Sequence, residues 1–197
     1  MNYYPKRHEY TIEIAGNKLK DLDYLQNYVF KLVQKLFNFS PKIYCAKNQN
    51  TIYLKIRDKK IFHFLKEKGF ITGKKNNISI PNWILDNKEN LLSFTKGLFD
   101  TDGHLCFKNK EGKKYPVVGI TSKSKDLLLL IKVFLESNNI YSYLGSHRSD
   151  RGSYSLIYRI QISGGNNISL FFNKIGSNNP RNTSNYNLMA SGGIEPP

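Results

Sequence analysis

The stretch Ser93-Phe94-Thr95-Lys96-Gly97-Leu98-Phe99-Asp100-Thr101-Asp102-Gly103-His104-Leu105 constrains this chain more than any other. Leu91, Leu92, Phe94, Leu98 and Phe99 recur near helical spacing with no proline between them, which predicts a helix from about Lys88. Gly103 is the expected stop, and Leu105-Cys106-Phe107-Lys108 reads as the start of a strand. Asp102 then sits on the last turn of the helix. The carbonyls there carry partial negative charge, so a carboxylate in that place calls for a cation. Ser93, Gly97 and Thr101 lie four residues apart and form a ridge of small side chains. A second helix can approach such a ridge to backbone contact.

The charge balance points to a polyanionic partner. Lys and Arg number 30 against 15 Asp and Glu, a formal net charge of +15. A hydrophobic content of 40% with 13 Tyr and 12 Phe fits a globular core. The opening Met1-Asn2-Tyr3-Tyr4-Pro5-Lys6 is not a signal peptide, and the longest apolar run, Leu127 to Leu135, is interrupted by Lys132. Membrane attachment is therefore not expected. Two cysteines, Cys45 and Cys106, are too few for a disulfide scaffold and suggest a reducing, intracellular compartment. The His and Cys residues show no zinc spacing.

Along the chain, Glu9 to Ala15 alternates as a half-buried strand, and Asp21 to Leu36 carries an apolar helical stripe. Pro41 to Cys45 and the run with Ile52, Leu54 and Ile56 facing inward form a hairpin about Asn48-Gln49-Asn50. Phe62 to Lys68 is a short helix closed by Gly69, and Ile71 to Asn87 a polar connection. After Gly103 the order returns: strands Leu105 to Lys110 and Tyr115 to Thr121, then a helix Lys125 to Glu136 capped by Ser124. A second hairpin, Tyr141 to His147 and Ser155 to Ser163, turns about Ser149-Asp150-Arg151-Gly152 and leads to a helix Asn167 to Ile175.

The two halves repeat. Lys20-Asp21-Leu22 returns as Lys125-Asp126-Leu127, 105 positions on, and Leu54 and Ile56 return as Ile160 and Ile162, 106 positions on. This predicts a first repeat over 4–87, a second over 88–180, and a disordered polar tail over 181–197. No helix like the organising one precedes Glu9, so the first repeat is expected to lack it.

Thr95 to Gly103 resembles the LAGLIDADG motif of homing endonucleases: Gly97, Leu98, Asp100, Asp102 and Gly103 match it, while Phe99, Thr95, Lys96 and Thr101 depart from it. A buried helix with a glycine cap is the plainer reading of the same letters. A calcium loop starting at Asp100 is disfavoured because Leu105 stands where that loop needs Gly. The resemblance implies an α+β fold: a duplicated αββαββα repeat, with antiparallel sheets forming a DNA-binding saddle and the first repeat truncated. It implies a site-specific double-stranded DNA endonuclease, intron-encoded and mobile, that hydrolyses phosphodiester bonds with Mg²⁺ or another divalent cation. Asp102 would be catalytic and hold the metal, assisted by the carbonyl of Thr101. Lys123 looks like a family position beside the metals, with Ser122 a weaker candidate. Ser93, Gly97, Thr101 and Gly103 would pack against a partner motif helix, supplied by upstream sequence or, as second choice, by another copy. The alternative function is a non-cleaving nucleic-acid binder, such as an intron RNA maturase or a degenerate endonuclease.

On that fold, strand alternation names the DNA-facing side chains. If Leu105 and Phe107 face the helices, His104, Cys106, Lys108 and Lys110 face the DNA. The same rule sends Tyr115, Thr121, Arg159 and Gln161 there in the second repeat, and Thr11, Glu13, Tyr53, Lys55 and Arg57 in the first. Loop residues, among them Arg148 and Arg151, are expected on phosphates.

Overall fold

A computed structural model describes residues 1–5, 8–47, 49–73, 78–148 and 156–193. The chain divides into two compact units, Met1–Lys75 and Asn76–Pro197.

The first unit is an antiparallel sheet of β1 (Asn2–Tyr4), β2 (Glu9–Asn17), β3 (Lys42–Cys45) and β4 (Thr51–Ile56), in the order β1-β2-β4-β3. A wide helical turn over Tyr24–Val29 continues into α1 (Phe30–Phe37), and α2 (Lys59–Glu67) follows β4. Ile52, Leu54 and Ile56 alternate inward, as expected, and pack with Leu25, Val29, Val33 and Phe62. The helix α2 starts three residues before the position periodicity indicates. The Asp58 carboxylate accepts from the Ile61 N–H at 2.8 Å and so moves the start forward.

In the second unit, α3 (Asn82–Leu85) and α4 (Lys88–Asp102) precede β5 (Gly103–Lys110) and β6 (Lys113–Ser122). Then come α5 (Lys125–Ser137), β7 (Tyr143–Arg148), β8 (Leu156–Ser163), α6 (Gly165–Lys174) and α7 (Pro180–Leu188). The sheet order is β5-β6-β8-β7, again antiparallel. Val118, Ile120, Ile160 and Ile162 are fully buried beneath Phe99, Leu128, Ile131 and Phe171. Asn87 caps α4 by accepting from Asn90 N–H at 2.9 Å, and Ser124 caps α5. The connection before α4 is less irregular than expected: α3 forms inside it and buries Ile84 beside Ile80.

The repeat is visible in the ladder registers. Ile12 faces Ile56 and Ile14 faces Leu54; 106 positions on, Val118 faces Ile162 and Ile120 faces Ile160. The counterpart of β1 is β5, the strand that α4 feeds.

The tail is not disordered where it is described. Asn179 caps α7 through Arg181 N–H at 3.1 Å, and Asn182 is fully buried. The sheet leaves β5 as an edge strand, and α7 covers that edge. Asn182 Oδ1 accepts from Leu105 N–H at 3.3 Å, and Asn185 Nδ2 donates to Leu105 O at 2.8 Å. Tyr186 stacks flat on Phe172 at 4.1 Å. The polar composition that resembled a tail is the chemistry of pairing with a strand edge.

Candidate nucleic-acid interface and metal carboxylate

The turn from α4 into β5 is built around a close approach. Gly103 has φ −100° and ψ 168°, an extended conformation, so the left-handed stop that a C-terminal glycine suggests is not used here. The glycine is needed for room: a Cβ would stand 2.5 Å from the Phe99 carbonyl oxygen and 2.2 Å from its ring. Without a Cβ the chain passes over the buried Phe99 directly into the sheet. Asp102 is exposed at this turn, and its main-chain oxygen accepts from Thr121 Oγ1 at 3.4 Å. Thr101, also exposed, donates to Gly97 O at 3.1 Å and lies 3.2 Å from Asp102 Oδ2. Lys123 is exposed between Ser122 and the capping Ser124.

The motif's other carboxylate has a different place. Asp100 is 1% exposed, and its Oδ1 accepts from Ser177 Oγ at 2.5 Å and from the N–H groups of Asn178 (2.9 Å) and Asn179 (3.4 Å). Burial raises its carboxyl above the ordinary aspartate value, against these donors and the charge of Lys96. Asn179 Nδ2 returns a bond to Asp100 O at 3.0 Å, and Arg181 Nη2 donates to Gly103 O at 3.0 Å.

Along the ridge, Ser93 and Thr101 are exposed, and a Cβ at Gly97 would meet nothing within 4 Å. The surface is open to a helix.

One face of the second sheet carries His104, Cys106, Lys108 and Tyr115 together with Thr121, Arg159 and Gln161; the ladder pairings put these on the side opposite Leu105 and Ile160. Arg159 and His104 meet at 3.1 Å, and Lys108 donates to Gln161 at 3.1 Å. Burial lowers the His104 imidazole below its ordinary value, helped by Arg159, Arg181 and Lys108, so the ring is neutral at pH 7. The His–Arg pair lies across Gly119, where a Cβ would come within 2.7 Å of the imidazole and 2.9 Å of the guanidinium. None of the four strands contains an acidic residue. Lys110 pairs with Lys113 at the turn end of the β5–β6 hairpin. Arg148 ends β7 opposite Leu156, exposed but on the alternate set from Arg159. Arg151 lies outside the described residues.

The corresponding face of the first unit is internally paired. Lys55 Nζ meets Glu13 Oε1 at 2.6 Å, Tyr44 donates to the same carboxylate at 3.1 Å, and Arg57 meets Glu9 at 2.8 Å. Tyr53 stacks on Tyr44 at 5.1 Å. Burial works to raise the Glu13 carboxyl, but the bonds from Lys55 and Tyr44 outweigh it and hold the group below its ordinary value. The bond to Glu13 in turn raises the Lys55 ammonium. Thr11, expected on this face, is fully buried and donates to Glu9 at 3.0 Å.

Asp102 and the Thr101 main-chain oxygen are hard oxygen donors, the ligand chemistry of Mg²⁺. Among the described residues no three His, Cys, Asp or Glu side chains gather into a metal cage. The donors fit a cation that takes its remaining ligands from water and phosphate. No described helix is long and apolar enough to cross a membrane.

Sequence reading missed Gly119, Ser177, Asn179 and Arg181. Of these only Gly119, a glycine inside an apolar strand, carries a local signal, that of a close approach.

Residues 89–176 match the family model described as LAGLIDADG-like domain. No curated protein matches the chain. Among solved structures, I-DmoI in complex with DNA and Mn is similar at 20% identity and a TM-score of 0.58, covering 89% of this chain and 86% of that one. I-DmoI in complex with DNA and Ca gives 21% and 0.62, covering 96% and 88%. Meganuclease I-SmaMI bound to uncleaveable DNA gives 13% and 0.56, covering 91% and 78%.

Proposed function

The chain carries a LAGLIDADG-like domain within the fold of the LAGLIDADG homing endonucleases, and on that premise we propose that it is a site-specific, double-stranded DNA endonuclease. The observation that carries this reading is the sheet face that begins at the motif carboxylate. It holds His104, Lys108, Arg159 and Gln161, and its strands contain no acid to repel a phosphate backbone. Arg159, Lys108 and Gln161 have the donors that read purine edges in a major groove. The neutral His104 orients the Arg159 guanidinium, and Gly119 gives the pair room to lie flat on the sheet.

Asp102 and the Thr101 carbonyl would hold the divalent cation, Mg²⁺ by donor chemistry. When bound, it supplies charge stabilisation at the scissile phosphate. Lys123, exposed between β6 and α5, would order water or phosphate beside that cation. A second motif helix would lie along Ser93, Gly97 and Thr101 and bring the second carboxylate. One source would be a motif helix joined to β1, the first-unit strand equivalent to β5. A second copy pairing through the same ridge is the other source.

The experiment is duplex binding over a range of salt, followed by Mg²⁺-dependent cleavage with the motif segment added upstream. Binding should weaken steeply with salt. Asp102→Asn should abolish cleavage and spare binding. Absence of duplex binding at low salt refutes the reading. Binding to intron RNA in preference to duplex, with no cleavage by the extended chain, would select the maturase-like alternative.

A further inference from the structure

We propose that the segment from Ser177 to Asn185 is the positioning element of Asp102, so that residues some eighty positions along the chain set how well this carboxylate takes a cation. The inference rests on reading Asp102 as a metal ligand. Asp102 is exposed and lies at the end of a helix, a place where backbone frays. Here the main chain on both sides of it is held. On the helix side, Ser177 Oγ and two backbone N–H groups bind Asp100 Oδ1, while Asn179 Nδ2 binds Asp100 O at 3.0 Å. On the strand side, Arg181 donates to Gly103 O at 3.0 Å, and Asn182 and Asn185 take both polar groups of Leu105.

These partners converge from one loop and one helix. Asp100 and Asn179 are both fully or nearly fully buried, so the helix side of the clamp is shielded from competing water. From the neighbouring strand, Thr121 Oγ1 adds a long bond to Asp102 O at 3.4 Å. The buried Asp100 is thus a handle by which the loop after α6 grips the last turn of α4. A carboxylate held in one direction loses less freedom when it ligates, and the partners that orient a ligand typically matter about 10- to 100-fold in metal affinity.

The test uses the full chain and Mn²⁺ as probe. Backbone amide signals of residues 101–103 are followed by NMR as Mn²⁺ is added, and the midpoint of their paramagnetic broadening is recorded. The wild type should broaden saturably at these residues, and Asp102→Asn should remove the effect. Asn179→Ala should raise the midpoint about tenfold. Ser177→Ala, which leaves two donors on Asp100 and so retains the fold, should raise it in the same direction, and Ser177→Thr should restore it. If Asp102→Asn removes the broadening while both alanine variants keep the wild-type midpoint, the clamp is refuted and the metal reading stands. A lowered melting temperature with an unchanged midpoint refutes it equally, because the loop would then be merely structural. Broadening that survives Asp102→Asn overturns the metal reading and the clamp together.

Discussion

Ending the chain after Pro180 should destabilise the second unit substantially. The cut removes the Arg181 bond to Gly103 O, both Asn bonds to Leu105 and the Tyr186 ring stacked on Phe172. Each side-chain hydrogen bond contributes roughly 1 kcal/mol net, and a stacked aromatic pair about the same, so the loss is about 4 kcal/mol. Water can reach the bared edge of β5, and that keeps the figure from rising further. For a unit of this size the loss corresponds to a fall of roughly 10–20 °C in melting temperature. Differential scanning calorimetry of the full and shortened chains measures it, with the second unit's transition assigned by its loss of amide protection. A shift of less than about 3 °C would mean that α7 contributes no net stability, and the docking argument would fail.

Other outcomes follow from the same contacts. Arg159→Ala should weaken binding to the preferred duplex by about 1–3 kcal/mol and relax specificity at one base position, read by competition with single-base variants; unchanged affinity and specificity would remove Arg159 from the base contacts. Gly119→Ala forces a Cβ against His104 and Arg159, so duplex affinity should fall several-fold while the melting temperature changes little, measured by fluorescence anisotropy and calorimetry. The His104 imidazole is depressed in the folded chain, so its contribution to stability is present above the unfolded value of about 6.5 and is lost as pH falls through the folded value; His104→Gln should flatten the denaturant stability profile in that window. Glu13 is depressed as well, so its contribution is present above its ordinary value and disappears as pH falls through the folded one. Glu13→Gln should remove that acid-side loss and, by freeing Lys55 from its partner, tighten duplex binding; weaker binding would show that the pair itself makes the contact.

The sequence by itself determined what local chemistry can write. Apolar spacing marked α4, and Asp102 was placed on its last turn by the glycine that follows. Alternation marked Ile52, Leu54 and Ile56, and the offset repeat located their counterparts in the second sheet. Ser124 is a cap, and caps act within three residues. Tertiary structure decided the rest, because the partners lie far apart in the chain. Asn182, Asn185 and Arg181 bind main-chain groups 77 to 80 positions away, and backbone partners leave no periodicity in either segment. Composition alone therefore made α7 look like a tail. Asp100 and Asp102 stand two letters apart in one motif, yet a rotation of about 200° along the helix buries the first under Ser177 and exposes the second. The two sheets share one topology, but Glu9 and Glu13 neutralise Arg57 and Lys55 in the first, while nothing acidic enters the strands of the second. Alternation says which face a lysine shares; only the packed sheet says which carboxylate has already claimed it.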